Sequence, residues 1–410
     1  MGEGGQADHP VSESLIELTE YVPTDVPEGD LSKADVEAID RVAGNKVVLD
    51  APGPRTGWKW RLTPQGWVGF VPVREDLMLH LRPRVCLGNI FRMLEYAYRL
   101  RQFELLPGIV GSESLQDFYE RLAAVLAKRV LERSRRGLYR AYIGKEEAGG
   151  AVRGRIDVKR ALSRPWDTAL PCEFQEHTAD IEENQILVRT LAAIARGGMC
   201  TERVSPLVRR AYRSVIGMAT DQPLTTADCI GRLYNRLNGD YQPMHALCRF
   251  FLEHAGPTHS RGSNEMIPFL VEMPRLFELF VAEWLRVHLP PGLLLEPQYK
   301  MTFGRNDEVE IHIDLLLTDA ASGRPLWILD TKYKVAEKAS SEDIQQVVAY
   351  AAARGAARAG LIYPTALSAP LGAEWGQSGV TVRSLAFELG GDLEEAGQRL
   401  LGEITAAVRS

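Results

Sequence analysis

The chain has 410 residues, 45% hydrophobic and 25% charged, which fits a folded globular protein of two or three domains rather than a disordered one. It contains no run of about 18 apolar residues, which argues against a transmembrane helix and a membrane partner, and its start, MGEGGQADHPVSESLIELTE, lacks the basic-then-apolar profile of a signal peptide. The five scattered cysteines have no C-x-x-C spacing, which excludes a disulfide framework or structural zinc and points to a reduced, cytoplasmic setting; the net charge of −6 leaves any nucleic-acid contact to a local basic surface.

Residues 1–29, rich in Gly, Glu, Ser, Pro and Asp, read as a flexible acidic tail with a short apolar sticker at Leu15-Ile16. Residues 30–87 read as a small β-domain: KVVLD, WKWRL, GWVGFVPV and LMLHLRP are short β-rich runs split by Pro and Gly turns. Helical periodicity begins near Asn89, where NIFRMLEYAYRLRQF puts Ile90, Met93, Leu94 and Tyr98 on one face. Further helices are expected over about 113–134, 181–196, 203–217 and 240–254, making 88–262 a mostly helical middle domain. After the break HAGPTHSRGSNE, the order helix (274–288), strands (308–317, 326–331), helix (340–354) and strand (359–363) predicts a C-terminal α/β domain over 263–410.

The C-terminal domain carries the chemistry. EVEIHIDLLL delivers Asp314 at the edge of an apolar strand, and LWILDTKYK follows a Gly-containing turn and ends in Asp330-Thr331-Lys332. Side chains alternate along a strand, so Asp330 and Lys332 share a side. If the strands are neighbours, two carboxylates and an ammonium converge, a grouping suited to phosphodiester hydrolysis with Mg²⁺, a hard cation held by one or two carboxylates and several waters. Ser340 and Asp343 fit a capping box, and in the helix that follows Gln346 and Tyr350 share a face. Glu278 lies among apolar neighbours in PRLFELFVAEWL and is a candidate further ligand. The chain supplies its own control: Asp157-Val158-Lys159 has the same D-x-K spacing but no acid-bearing strand before it, and it reads as structural. In the middle domain, KRVLERSRRGLYRAYIGK interleaves Arg133, Arg135, Arg136 and Arg140 with Tyr139 and Tyr142, a pattern that tracks a phosphate backbone. His177 reads as a structural, hydrogen-bonded histidine.

The combination IDLLL, ILDTKYK, QVVAYA and GLIYP resembles the nuclease domain of the McrC family, the cleavage subunit of McrBC modification-dependent restriction systems. NIFRMLEYAY, RGRID, EHTADIEENQIL and NRLNGDYQPMHALCRFFL extend the likeness over most of the chain from about residue 45. The resemblance implies a PD-(D/E)XK restriction-endonuclease-like C-terminal domain. Asp314 and Asp330 then stand at the metal-binding positions, with Glu278 as a further acid, Lys332 as the catalytic lysine, and Gln346 and Tyr350 as the auxiliary motif. Mg²⁺, or Mn²⁺ in its place, is the implied cofactor. The implied partners are modified DNA and an McrB-like AAA+ GTPase ring contacted by the N-terminal β-domain; the chain has no G-x-x-x-x-G-K-[ST] loop of its own. Breaking both strands takes two sites, so dimerisation in the working complex is expected. The competing readings are a stand-alone RecB-like nuclease and a catalytically silent activator of an AAA+ ring.

Overall fold

A computed structural model describes residues 14–74, 77–100, 114–164, 166–254, 259–261, 264–266, 269–303, 309–375 and 379–409. The chain forms two compact units, Met1–Phe118 with Pro268–Ser410, and Tyr119–Ile267. The first unit opens with β1 (Ser14–Thr19), β2 (Thr24–Pro27), α1 (Lys33–Ala43), β3 (Val47–Asp50), β4 (Lys59–Pro64), β5 (Trp67–Arg74), β6 (Leu77–Arg82) and α2 (Leu87–Ala97). The strands β2, β4 and β3 make one small antiparallel sheet. Helix α1 starts at a reciprocal capping box: Asp35 N donates to Ser32 Oγ at 3.2 Å and Ser32 N to Asp35 Oδ2 at 2.9 Å. Its Ile39 joins Leu18, Leu62, Leu79 and Leu81 in a sealed apolar core.

Helix α3 (Leu115–Arg136) leads into the second unit, which holds β7 (Ala141–Gly149), β8 (Arg155–Ile156), α4 (Val158–Ser163), β9 (Leu170–Thr178), α5 (Glu182–Arg196), α6 (Ser205–Val215), α7 (Tyr241–His254), β10 (His259–Arg261) and β11 (Asn264–Met266). Its strands β7, β9 and β8 form a three-stranded antiparallel sheet. Gly154, at φ +72°, passes so close to the Glu173 carbonyl and Phe174 that any side chain would collide. The buried Asn184 amide donates to Tyr139 O (2.9 Å) and Ala179 O (2.6 Å) and accepts from Tyr241 Oη (2.6 Å), so the EENQIL and GDY segments pin this unit internally.

The chain returns to the first unit with β12 (Phe269–Glu272), α8 (Met273–His288), β13 (Leu293–Phe303), β14 (Val309–Asp319), β15 (Pro325–Thr331), α9 (Ser341–Arg354), β16 (Arg358–Tyr363), β17 (Gly372–Trp375), β18 (Val380–Ala386) and α10 (Leu393–Arg409). A six-stranded mixed sheet runs in the order β13-β14-β15-β16-β18-β17. Antiparallel pairing holds β13, β14 and β15, and parallel pairing holds β15, β16 and β18. Helix α9 forms the crossover from β15 to β16. It packs Val347, Val348 and Ala351 against Ile313, Ile328, Leu361 and Val382, as a parallel connection requires.

The expected segmentation differs from this arrangement in three places. Residues 14–27, assigned to the acidic tail, form β1 and β2. Ile16 and Leu18 point into the core while Leu15 is exposed, but β1 pairs in parallel with β6, Ser14 opposite Leu77 through Thr19 opposite Arg82, so no local turn marks it. The middle segment is less helical than expected because AYIGKEEAG, which follows the helix α3 segment and overlaps the basic stretch, is strand β7. The 263–410 segment is not separate from 30–87: β12 pairs with β5, Phe269 opposite Phe70, and the α2 residue Asn89 donates to Leu389 O and Gly391 O at 2.8 and 2.9 Å. The first 13 residues of the expected tail, Arg101–Phe103 of the expected helix, and linker positions 255–258 and 262–263 lie outside the described residues.

Candidate active site

Strands β14 and β15 bring the acids together. Leu315 lies opposite Leu329 and Leu316 opposite Ile328, and the same register carried one residue further sets Asp314 opposite Asp330. On the other side, Pro297 opposite Leu315 and Tyr299 opposite Ile313 set Gln298 opposite Asp314. Gln298 has φ +52°, a left-handed conformation that a side-chain-bearing residue adopts only at a cost. Its amide donates to Glu278 Oε1. A row of Gln298, Asp314 and Asp330 thus crosses three strands, with Glu278 of α8 bonded to its first member.

Asp314 Oδ2 accepts from the Thr331 backbone N–H and from Thr331 Oγ1, both at 2.8 Å, which fixes its orientation at the end of β15. Asp330 is almost wholly buried, 4% exposed, and its Oδ2 lies 2.7 Å from Lys332 Nζ as an ion pair. Burial and the neighbouring Asp314 charge push the Asp330 carboxyl up to about 6. Parallel pairing continues past the strand, with Lys332 N donating to Ile362 O at 2.8 Å, so Lys332 keeps the strand-like alternation that puts it on the side of Asp330.

Lys332 Nζ also donates to Gln346 Oε1 at 3.1 Å and lies 3.7 Å from Asp343 Oδ1, while Gln346 Nε2 donates to Tyr350 Oη at 3.0 Å. Burial works against the ammonium, but Asp330, Asp343 and Asp314 hold its pKa above the ordinary lysine value. Lys332 is therefore held as a cation and hydrogen-bond donor. The five residues Asp314, Asp330, Lys332, Gln346 and Tyr350 form one connected cluster.

Two further members were not legible as site residues. Asp343, read only as a capping acid, receives the Lys334 ammonium as well as the contact with Lys332. Ser340 does accept from Asp343 N at 3.1 Å, so half of the capping box forms while the carboxylate turns to the lysines. Burial raises the Asp343 pKa, but the bonds from Lys334 and Ser340 outweigh it and leave it below the ordinary value. The only sequence signal for Lys334 was the period-two repetition of lysine in DTKYK.

The expected third acid behaves differently. Glu278 accepts from Arg275 at 2.7 Å and from Gln298, and burial raises its pKa against the pull of Arg275, with Asp314 adding to the rise. Among the described residues no group of three or more His, Cys, Asp or Glu side chains is arranged to hold a metal. The Asp314–Asp330 pair offers converging oxygen donors, and Glu278 joins the same row through its hydrogen bond from Gln298. Two converging carboxylates, one of them buried and its pKa raised by that burial and by the other's charge, suit a hard divalent ion that completes its shell with water.

The expected DNA-binding arginines divide. Arg133 is committed within the second unit: it lies 3.4 Å from Asp240, donates to Leu237 O at 3.3 Å and covers the Tyr241 ring at 5.1 Å. Arg135, Arg136 and Arg140 are exposed. His177, expected to be a structural, hydrogen-bonded histidine, is exposed on β9 with the Tyr142 ring 4.8 Å away; in the interior His245 Nε2 donates to Glu183 O at 3.0 Å, its Nδ1 accepts from Tyr234 Oη at 2.9 Å, and burial lowers its pKa to about 4. In the N-terminal segment Trp60 and Trp67 pack against the core, Phe70 stacks on His80 at 4.5 Å, and Trp58 stands 67% exposed on a turn. No described helix is long and apolar enough to cross a membrane.

Comparison with known proteins agrees with this architecture. The family model described as McrBC 5-methylcytosine restriction system component matches residues 62–364. The type IV methyl-directed restriction enzyme EcoKMcrBC of Escherichia coli (strain K12) is 24% identical over 297 residues, 66% of this chain and 81% of that protein. In fold, the chain is similar to one in a refined half-complex from the tetradecameric assembly of Thermococcus gammatolerans McrB AAA+ hexamers with bound McrC, with a TM-score of 0.52 and 17% identity, covering 95% of this chain and 100% of that one.

Proposed function

Because this chain belongs to the McrBC 5-methylcytosine restriction system component family, we propose that it is an McrC-type endonuclease subunit that cuts DNA together with an McrB-like AAA+ GTPase ring. The C-terminal sheet with α8 and α9 is its PD-(D/E)XK nuclease domain. The observation that carries this reading is the convergence of Asp314, Asp330 and Lys332 at the β14–β15 junction, with Gln346 and Tyr350 reaching it from α9.

Asp314 and Asp330 would hold Mg²⁺, which when bound polarises a phosphoryl oxygen and lowers the pKa of an attacking water. The other roles belong to the chain. Thr331 fixes the rotamer of Asp314 through two hydrogen bonds. Lys332, kept charged by its acids, orients the water and offsets charge on the phosphate in the transition state. Gln346 holds the ammonium from the side of α9, and Tyr350 orients Gln346. Asp343 shares its charge between Lys332 and Lys334, which limits how firmly Lys332 is drawn to Asp330.

The ring is met by the N-terminal strands, for which the exposed Trp58 is the anchor. A point substitution probes this better than a deletion, because β5 pairs with β12 and removing it would open the unit that holds the site. The test is cleavage of methylated and unmethylated plasmid in Mg²⁺, with and without the ring, with GTP turnover measured in parallel. Cleavage of methylated plasmid is expected only with the ring, and Trp58→Ala is expected to lower the stimulated GTP turnover. Equal cutting with no ring present would instead favour a stand-alone nuclease.

A further inference from the structure

Beyond Lys332 the chain borders a cavity of about 360 Å³. The cavity is lined by Tyr333–Val335, Pro364-Thr365 and Leu389-Gly390, which follow the parallel strands β15, β16 and β18, and by Glu20-Tyr21 and Arg84–Cys86, which follow β1 and β6. The space outside the carboxyl ends of parallel strands is where open α/β sheets bind ligands, and the size is that of a small-molecule site. Of the residues given roles in the cleavage cluster, Lys334 alone is named in its lining.

Its polar groups are specific. Glu20 is completely buried; Tyr333 Oη donates to its Oε2 at 3.1 Å, and its Oε1 has no hydrogen-bond partner. A sealed carboxylate oxygen without a donor is costly, and a ligand N–H would relieve it. Burial pushes this carboxyl up to about 7, so near neutrality it is available both to accept and to donate. Arg84, which acts on Glu20 through its charge and backbone, and Lys334, paired with Asp343, bring positive charge to the same cavity, which disfavours a cationic side chain from a partner and favours a ligand that combines an N–H edge with a negative charge. Tyr21 and Tyr333 add aromatic residues to the lining. Lys334 also ties the cavity to the cleavage cluster, since its partner Asp343 lies 3.7 Å from Lys332 Nζ.

We propose that this cavity receives one nucleotide of the DNA strand being cut, its base unstacked from the helix and lodged between Tyr21 and Tyr333, a base N–H directed to Glu20 and the phosphate held by Arg84 and Lys334. The proposal rests on the nuclease reading for its substrate class but is tested without cleavage. The base is read by stacking and by one carboxyl rather than by a full edge code, so amino-bearing bases are preferred over an abasic residue.

Two measurements on the full chain, both in EDTA, decide it. Cys86 is an exposed thiol in the cavity wall, so its alkylation by N-ethylmaleimide reports occupancy. Binding of fluorescein-labelled single-stranded 12-mers, one of mixed A and C and one abasic throughout, is followed by anisotropy. The A/C strand at saturation is expected to slow Cys86 alkylation about tenfold, and the abasic strand at saturation to slow it much less. Glu20→Leu is expected to weaken the A/C strand about tenfold and to leave the abasic strand unchanged, the scale of one lost base contact. Equal alkylation of free and A/C-saturated protein, or equal losses by Glu20→Leu on both strands, would overturn the proposal. Should Lys332→Ala cut DNA like the wild type, the nuclease reading falls while these binding results stand on their own.

Discussion

Two stretches of this chain share one spacing and differ in everything else. Asp330-Thr331-Lys332 closes a buried strand, whereas Asp157-Val158-Lys159 opens a six-residue helix. Residues two apart on a strand face the same way; on a helix they stand about 200° apart and do not meet. Asp330 accordingly pairs with Lys332 at 2.7 Å, while Asp157 turns back to cap its helix, accepting from Arg160 N at 3.0 Å. The first pair has Asp314 on the adjoining strand and Gln346 on the adjoining helix. Val158, between the members of the second, is exposed. A short motif thus carries chemistry only through the secondary structure that sets its side-chain directions and the neighbours that set its charges.

The sharpest way to break this comparison is substitution at both sites. Lys332→Ala and Asp330→Ala are each expected to lower plasmid cleavage by about 10² or more, the scale for losing a group that stabilises transition-state charge, while Asp157→Ala cuts like the wild type. Asp330→Ala should also abolish Mg²⁺ binding by calorimetry, which Lys332→Ala should spare. Wild-type cutting by Lys332→Ala with a folded but dead Asp157→Ala would put the site in the other unit.

A second effect follows from pH. Asp330 carries a pKa raised to about 6 by burial and Asp314, so its proton competes with a cation. Mg²⁺ affinity measured by calorimetry is expected to be steady above that value and to fall about tenfold per unit below it, because one proton must leave. For folding the sign is opposite. A carboxyl whose folded pKa lies above its unfolded one favours the folded state at low pH, and that stability is lost as pH rises through about 6. Without metal, Asp330→Asn should therefore gain stability over the wild type above pH 6 and gain little at pH 4.

The arginines near the second triplet give a smaller contrast. Arg135→Ala with Arg136→Ala is expected to weaken DNA binding at every sequence and to flatten its log-log salt dependence by roughly one unit per lost phosphate contact. Arg133→Ala should leave that slope alone and lower the melting temperature instead, because Arg133 is tied to Asp240, Leu237 and Tyr241. The smallest effect sharpens the comparison from the other side: Asp157→Ala is expected to cost about 1 kcal/mol by denaturant titration, the worth of an N-cap, with no change in cleavage.

The sequence by itself determined the β14–turn–β15–α9 order, the strand alternation that aligns Asp330 with Lys332, the start of α9 at Ser340 and the face shared by Gln346 and Tyr350. All of these follow from local periodicity, turn chemistry and capping, which act within a few residues. Only the tertiary structure decided what depends on distant partners. The parallel pairing of β1 with β6 turned an acidic tail into a strand, and the pairing of β12 with β5 joined the N-terminal strands to the C-terminal sheet. Arg275 and Gln298 gave Glu278 its hydrogen-bond partners, Lys334 drew Asp343 into the site, and Tyr333 reached Glu20 across 313 positions of sequence. Charge, burial and hydrogen-bond satisfaction are properties of neighbours in space, and no spacing along the chain encodes which neighbours those are.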